Sequence, residues 1–395
     1  MSKSAKWRIG ESVFGVLIGG VSFLDSKNGF KGSFKDANEA ERFLNAYGYD
    51  VLDPIELAEL QGNLQEAVRF IRRYFLKPEN RDGLSIEMPK RLDVTDVRGL
   101  LIQASAEIDS ESRNWACAIL RVVHAINHID RDIRTQYFGE IQKQIFDRFY
   151  RYLHRDENGQ LYIATSSEDP LRVDLVEFQI KPKKARDSTL MKLLHKPESV
   201  AEELFDRVGL RFITRSRVDA IRVVHFLEQA NIIVAANIKP SRSRNTLIDT
   251  ESFRELLART DLDDAELEAQ LEATAFSKSK SGENSFSSEH YRAIQFTCRQ
   301  LIKVRSTLAD QLRELKNASK NQTLDPVVQA AIDKIGATPV QRIIRFFYPF
   351  EIQVMDQSSY IENEKGRSAH GEYKRAQQKV ALLRVMGTLA HEKQP

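Results

Sequence analysis

EIQVMDQSSYIENEKGRSAHGEYKRAQ, residues 351–377, begins like a strand and ends like a charged helix. In the strand half, Glu351 and Gln353 are two residues apart and so share a face. In the helix half, His370 and Lys374 are four apart and share another, with Tyr373 beside them. A carboxylate on a strand followed by a His/Tyr/Lys helix has two readings. It is a half-solvated α+β edge, or one wall of a site that handles phosphate and a metal ion.

The residues upstream favour a sheet around that strand. VDLVEFQIK (173–181) alternates apolar and polar residues, and GLRFIT (209–214), NIIVAANI (231–238), YRAIQFTCRQLIKV (291–304) and YPFEIQVM (348–355) also read as strands. Between them, DSTLMKLL (187–194), PESVAEELFDR (197–207) and RVDAIRVVHFLEQA (217–230) read as helices. This alternation predicts an α+β fold: a mixed β-sheet with flanking helices. Two insertions interrupt it, at about 250–288 and 307–338. The first is acidic and helical, then rich in Ser, Lys and Gly; the second is helical.

The first part of the chain has a different character. DANEAERFLNAYGYD (36–50), SRNWACAILRVVHAINHIDRDIR (112–134) and GEIQKQIFDRFYRYLHR (139–155) carry apolar residues at helical spacing. The turn-rich DENGQ (156–160) ends this pattern, so a mainly helical domain is expected over 1–160 and the sheet domain over 161–395. VFGVLIGGVSFL (13–24) is too short to span a bilayer, and Glu11 precedes it where a signal peptide needs basic residues. It suits a buried strand or loop.

A chain of 395 residues with 42% hydrophobic content can bury a sizeable core. Its 59 basic and 56 acidic residues leave a net charge of only +3, which excludes a global nucleic-acid-binding signature. Cys117 and Cys298 lie far apart with neither disulfide framework nor zinc spacing. A cytoplasmic protein with no membrane partner is expected.

PESVAEELFDRVGLRFIT, HYRAIQFTCRQLI, PFEIQV and GRSAHGEYK follow one another in an order that resembles the RelA/SpoT-type (p)ppGpp synthetase domain, over roughly Asp174 to Arg384. The resemblance implies a nucleotidyltransferase-like mixed sheet and Mg²⁺-dependent transfer of pyrophosphate from ATP to a guanine nucleotide. It implies that Asp206 and Glu351 hold the metal, with Glu351 also able to take the proton of the attacking hydroxyl. Two carboxylates from distant strands suit a hard cation beside phosphates. The basic run IKPKKARDSTLMKLL resembles the donor segment, with Lys184, Ser188 and Lys192 at matching positions. Lys181, Lys183 and Arg186 add cationic density, and Arg211 and Arg215 follow on the next strand. Tyr291 stands where the family stacks the acceptor base, and Gln295, Gln353, His370 and Lys374 line the expected acceptor side.

The chain departs from the family at substrate positions. Pro182 replaces an Arg, Gln295 a His, His290 a Gly, and Met355-Asp356 an Arg-Thr pair. These departures suit an enzyme with an altered acceptor, a transferase acting on the 3′ end of tRNA, or a non-catalytic nucleotide-binding module. The basic loop around Lys278 and Lys280 keeps the tRNA reading open. A homo-oligomer is compatible with all three. In the helical part, His124 and His128 lie at helical spacing as a two-residue metal motif, but Ala125 stands where a zincin needs Glu. That part is read as regulatory or as a packing partner.

Overall fold

The computed structural model describes residues 16, 18, 21, 22, 24–26, 30–106, 108, 110–181, 185–195, 208–274, 276, 291–319, 325–337, 342–365 and 370–391. The chain opens with helices α1 (Ala37–Tyr47), α2 (Pro54–Phe75), α3 (Val97–Ala104), α4 (Glu111–Asp130), α5 (Ile133–Gln136) and α6 (Phe138–Tyr150). Local chemistry sets their ends. Asp36 caps α1 by accepting from the Glu39 N–H at 2.9 Å, and Gly48, at φ 102, closes it in the left-handed region. Asp53 and Ser110 do the same for the starts of α2 and α4.

Strands then enter: β1 (Leu153–Arg155), β2 (Leu161–Ile163) and β3 (Val173–Ile180), followed by α7 (Arg186–His195), β4 (Gly209–Thr214) and α8 (Arg217–Gln229). Next come β5 (Ile238–Asn245), α9 (Thr250–Leu257), α10 (Asp264–Glu272), β6 (Ile294–Arg305), α11 (Thr307–Ser319) and α12 (Pro326–Ala337). The chain closes with β7 (Ile343–Asp356), α13 (Gln357–Lys365), α14 (His370–Met386) and α15 (Thr388–His391). The strands form one seven-stranded sheet in the order β1-β2-β3-β4-β7-β6-β5. β4 and β7 are parallel and the other pairs are antiparallel, so the sheet is mixed, as the alternation of elements predicts.

Two readings need correction. NIIVAANI is not a strand. The N–H groups of Ile232 and Ile233 both bond the Leu227 carbonyl, and Asn231 sits at φ 54, so the chain folds back against the end of α8. Ile232 and Ile233 are both buried in the sheet core. The strand starts only at Ile238. Likewise LHR, read as helix, is β1, and DENGQ is the turn of its hairpin with β2. Asp156 accepts there from the N–H of Asn158 and Gln160, and Gly159 adopts φ 78. Of VFGVLIGGVSFL only 16, 18, 21, 22 and 24 are described; Leu24 is fully buried, but Ile18 and Val21 are exposed, so the expectation of a buried segment does not hold for all of them.

Burial divides the molecule into two apolar cores, and their membership does not follow chain order. The helical core contains α1–α4 residues such as Leu64, Ile71, Leu100 and Trp115, together with Leu190, Leu193 and Leu194 of α7 and Ala381, Val385 and Met386 of α14. The sheet core takes Phe138, Ile141, Ile145 and Phe149 of α6, then Val223 and Phe226 of α8. Phe212, Phe350, Ile352 and Val354 point into it from the strands. No helix among the described residues is long and apolar enough to cross a membrane.

Candidate functional site

Strand alternation puts Leu210, Phe212, Ile352, Val354 and Phe296 into the sheet core. The residues between them therefore face the other way. Cross-strand register then aligns them in rows. Gln179 pairs with Arg211, Arg211 with Gln353, Gln353 with Gln295, and Gln295 with Arg244. The next row runs from Gly209 to Glu351, Thr297 and Lys239, with the Lys181 N–H on the Gly209 carbonyl. Five strands thus contribute polar side chains to one face.

Glu351 lies at the centre of this face and is 7% exposed. Lys181 Nζ donates to its Oε1, and Gln295 Nε2 donates to its Oε2 at 2.9 Å. A buried carboxylate needs such partners, because an uncompensated charge in the interior is expensive. Gly209 makes the lysine contact possible. A Cβ there would stand 2.6 Å from Lys181 Cδ, on the path the side chain takes across β4.

From Glu351 the hydrogen bonds form a directed chain. Gln353 Nε2 donates to Gln295 Oε1 at 3.2 Å, and Arg211 Nε donates to Gln353 Oε1 at 3.3 Å. Arg can only donate and an ionised carboxylate can only accept, so the two ends dictate the orientation of both amides between them. Arg211 also donates to Gln179 Oε1 at 3.2 Å and to Glu364 Oε1 at 3.0 Å, and Gln179 donates to Tyr360 Oη at 3.0 Å. Helix α13 therefore closes one end of the face. Tyr291 stands within the same electrostatic field. Burial pushes its phenol pKa up, the Glu351 carboxylate adds to that, and Arg211 and Arg244 oppose it.

Of the residues expected from sequence, the structure thus brings together Lys181, Arg211, Tyr291, Gln295, Glu351 and Gln353. Arg186 points elsewhere: its guanidinium is clamped by Glu66 of α2 and Asp130 of α4, at 2.6 and 2.5 Å. Ser188 and Lys192 sit on α7, whose apolar side belongs to the helical core. Arg215 bonds Gln160 and pairs with Asp174 at 3.6 Å. Lys374 is exposed on α14, which packs against α7 and α4. Asp206, Lys183 and Lys184 lie outside the described residues, as do the side chains of His370 and Tyr373 and the loop at Lys278 and Lys280. Val208, the first described residue before β4, accepts from the Glu351 N–H at 2.9 Å.

Sequence reasoning missed Gln179, Thr297 and Tyr360. Gln179 was legible in principle, being two residues before Lys181 on a strand. Tyr360 stands four residues before Glu364 on α13, a spacing that places both on the side facing Arg211.

A divalent cation can be tested against this geometry. Mg²⁺ is commonly held by one or two carboxylates plus substrate phosphates. Glu351 supplies one buried carboxylate, and Lys181 places a positive charge against it where a cation would be at home. The donor chemistry fits. Among the described residues no cluster of three or more His, Cys, Asp or Glu forms a metal cage, and His124 and His128 instead pack edge to face at 4.4 Å with Tyr47 on His124 Nδ1.

No family model matches the chain, and no curated protein was found similar to it. Among solved structures it is similar to small alarmone synthetase 2 from Bacillus subtilis, at 12% identity and TM-score 0.22, covering 55% of this chain and 76% of that one. It is also similar to a GTP pyrophosphokinase family protein from Streptococcus pneumoniae, at 13% identity and TM-score 0.24, covering 72% of this chain and 92% of that one.

Proposed function

We infer that this chain is a Mg²⁺-dependent pyrophosphokinase, transferring the β,γ-pyrophosphate of ATP to the ribose 3′-hydroxyl of a guanine nucleotide. One observation carries this reading: residues far apart in the chain, each singled out by the synthetase-like motifs, share one polar sheet face around the buried Glu351.

In this reading the 3′-oxygen attacks the β-phosphorus, the bond between that phosphorus and the α-phosphate bridging oxygen breaks, and AMP leaves. Glu351 takes the hydroxyl proton. Lys181 holds the Glu351 side chain in place before substrate arrives, then turns its ammonium to the donor phosphates. Arg211 supplies positive charge for the donor phosphates while orienting the two amides, and Tyr291 offers a ring for the acceptor base. Mg²⁺, held by Glu351 and by Asp206, would neutralise charge building on the transferred phosphates.

Full-length protein incubated with Mg²⁺, labelled ATP and GDP or GTP is expected to give a labelled guanine nucleotide, and Glu351→Gln to abolish it. Absence of product with every guanine nucleotide overturns the acceptor assignment. Calorimetric binding of a guanine nucleotide that is indifferent to Glu351→Gln, with no turnover, replaces the enzyme by a nucleotide-binding module.

A further inference from the structure

The pairing of β6 with β7 runs without a register shift from Ile294 opposite Val354 to Arg305 opposite Ile343. Side chains two apart share a face. The face that carries Gln295, Thr297, Glu351 and Gln353 therefore continues through Arg299, Leu301, Lys303 and Arg305 on β6, and through Phe347 and Arg345 on β7. The reverse of the same ribbon confirms the assignment, since Ile302, Val304, Tyr348 and Phe350 lie in the sheet core.

This continuation is open to solvent. Arg299, Lys303, Arg305 and Arg345 are exposed. Leu301 and Phe347 stand directly opposite one another and are 40% and 51% exposed. An aromatic ring half in water, in mid-strand and beside a second bared apolar residue, is not accounted for by packing. The six residues include no acid. Among the described residues the side chains of these four cations make no ion pair or hydrogen bond, the Gln144 amide reaching only the main chain of Lys303, whereas Arg98, Arg172, Arg186 and Arg211 are each paired with carboxylates. The net charge of +3 hides this local excess.

We propose that this face of the β6–β7 ribbon docks a single-stranded polynucleotide, with Phe347 stacked on a base and Arg299, Lys303, Arg305 and Arg345 on its phosphates. A row of cations without anions fits a polymer of regularly spaced negative charge. A single bared ring among them fits an unstacked base. A duplex keeps its bases stacked and offers Phe347 nothing, and an acidic peptide lacks the regular alternation of phosphate and flat base that this row of cations and its ring match. Phe347 is four residues from Glu351, on the order of 14 Å along the strand. A bound strand would thus run toward the polar face described above.

The test is fluorescence anisotropy of the full chain with a short labelled single-stranded RNA and its DNA counterpart, at a series of salt concentrations. Duplex of the same length, polyglutamate and anionic vesicles are the comparison ligands. Saturable binding of a single strand is expected, weakened on the order of tenfold by Phe347→Leu, which keeps apolar area but removes the ring, and retained by Phe347→Tyr. Arg299→Ala or Arg345→Ala is expected to lower the slope of log affinity against log salt by about 0.7 each. The proposal is overturned if no single strand binds, if duplex, polyglutamate or vesicles bind as tightly, or if Phe347→Leu binds like wild type while Phe347→Tyr does too. Binding requires neither Mg²⁺ nor turnover, so this result stands apart from the transferase reading.

Discussion

Around Glu351, each amide has one orientation it can adopt, because Arg211 lies at one end of the chain and the carboxylate at the other. Gln353→Leu removes the middle link without introducing charge. The fold is expected to survive, but Gln295 is released and the transfer rate is expected to fall on the order of 100-fold, the scale of a small misplacement of reacting groups. Comparing kcat of the variant with wild type in the labelled-ATP assay, at matched thermal stability, checks this. At Gly209, Gly209→Ala is expected to lower both rate and stability, since the new Cβ displaces Lys181 and leaves Glu351 short of its cation. A third residue-scale prediction concerns His124. Burial, with help from His128, holds its pKa down at about 4, against an ordinary value of 6.5. Between those values the unfolded chain binds more protons than the fold, so stability rises with pH. Going from pH 7 toward 4 is expected to remove about 3 kcal/mol through this residue, and urea titrations are expected to show a flatter pH dependence for His124→Leu than for wild type.

At the level of elements, α7 joins two parts of the molecule. Its apolar face fills the helical core, Arg186 is clamped by Glu66 and Asp130, and Asp187 accepts from Tyr74 Oη at 2.8 Å and Arg73 at 3.2 Å. The helix bearing Ser188 and Lys192 is thus positioned by α2 and α4 rather than by the sheet. Arg186→Ala is expected to cost about 1 kcal/mol, because multiple charge-assisted bonds at a partly exposed pair are worth more than an isolated surface bridge. Denaturant unfolding checks the magnitude. The element pattern was largely legible from sequence. The Asp at the start of DANEAERFLNAYGYD, which caps its helix, and the alternation in VDLVEFQIK mark their elements directly. NIIVAANI was misread because two adjacent Ile residues anchored on the Leu227 carbonyl look, in composition, like a strand.

At the scale of the molecule, the last long helix completes the first core. Ala381, Val385 and Met386 of α14 share the helical core with Leu64, Leu100 and Trp115, and Arg121 donates to the Val385 carbonyl at 2.8 Å. A chain ending after residue 365 is expected to lose native helix content in the amino-terminal part, although none of its residues has been removed. Circular dichroism and limited proteolysis compared with the full chain test this. The sequence alone determined the mixed α+β class, most helix and strand positions, and which residue types were available for phosphate chemistry, because periodicity and capping are local properties. Only the tertiary structure decided that Gln295, Gln353 and Arg211 converge on Glu351, that Arg186 turns away to Glu66 and Asp130, and that α7 and α14 belong to the helical core. Those outcomes depend on strand order, register and long-range packing, which bring together residues whose spacing along the chain carries no record of their distance in space.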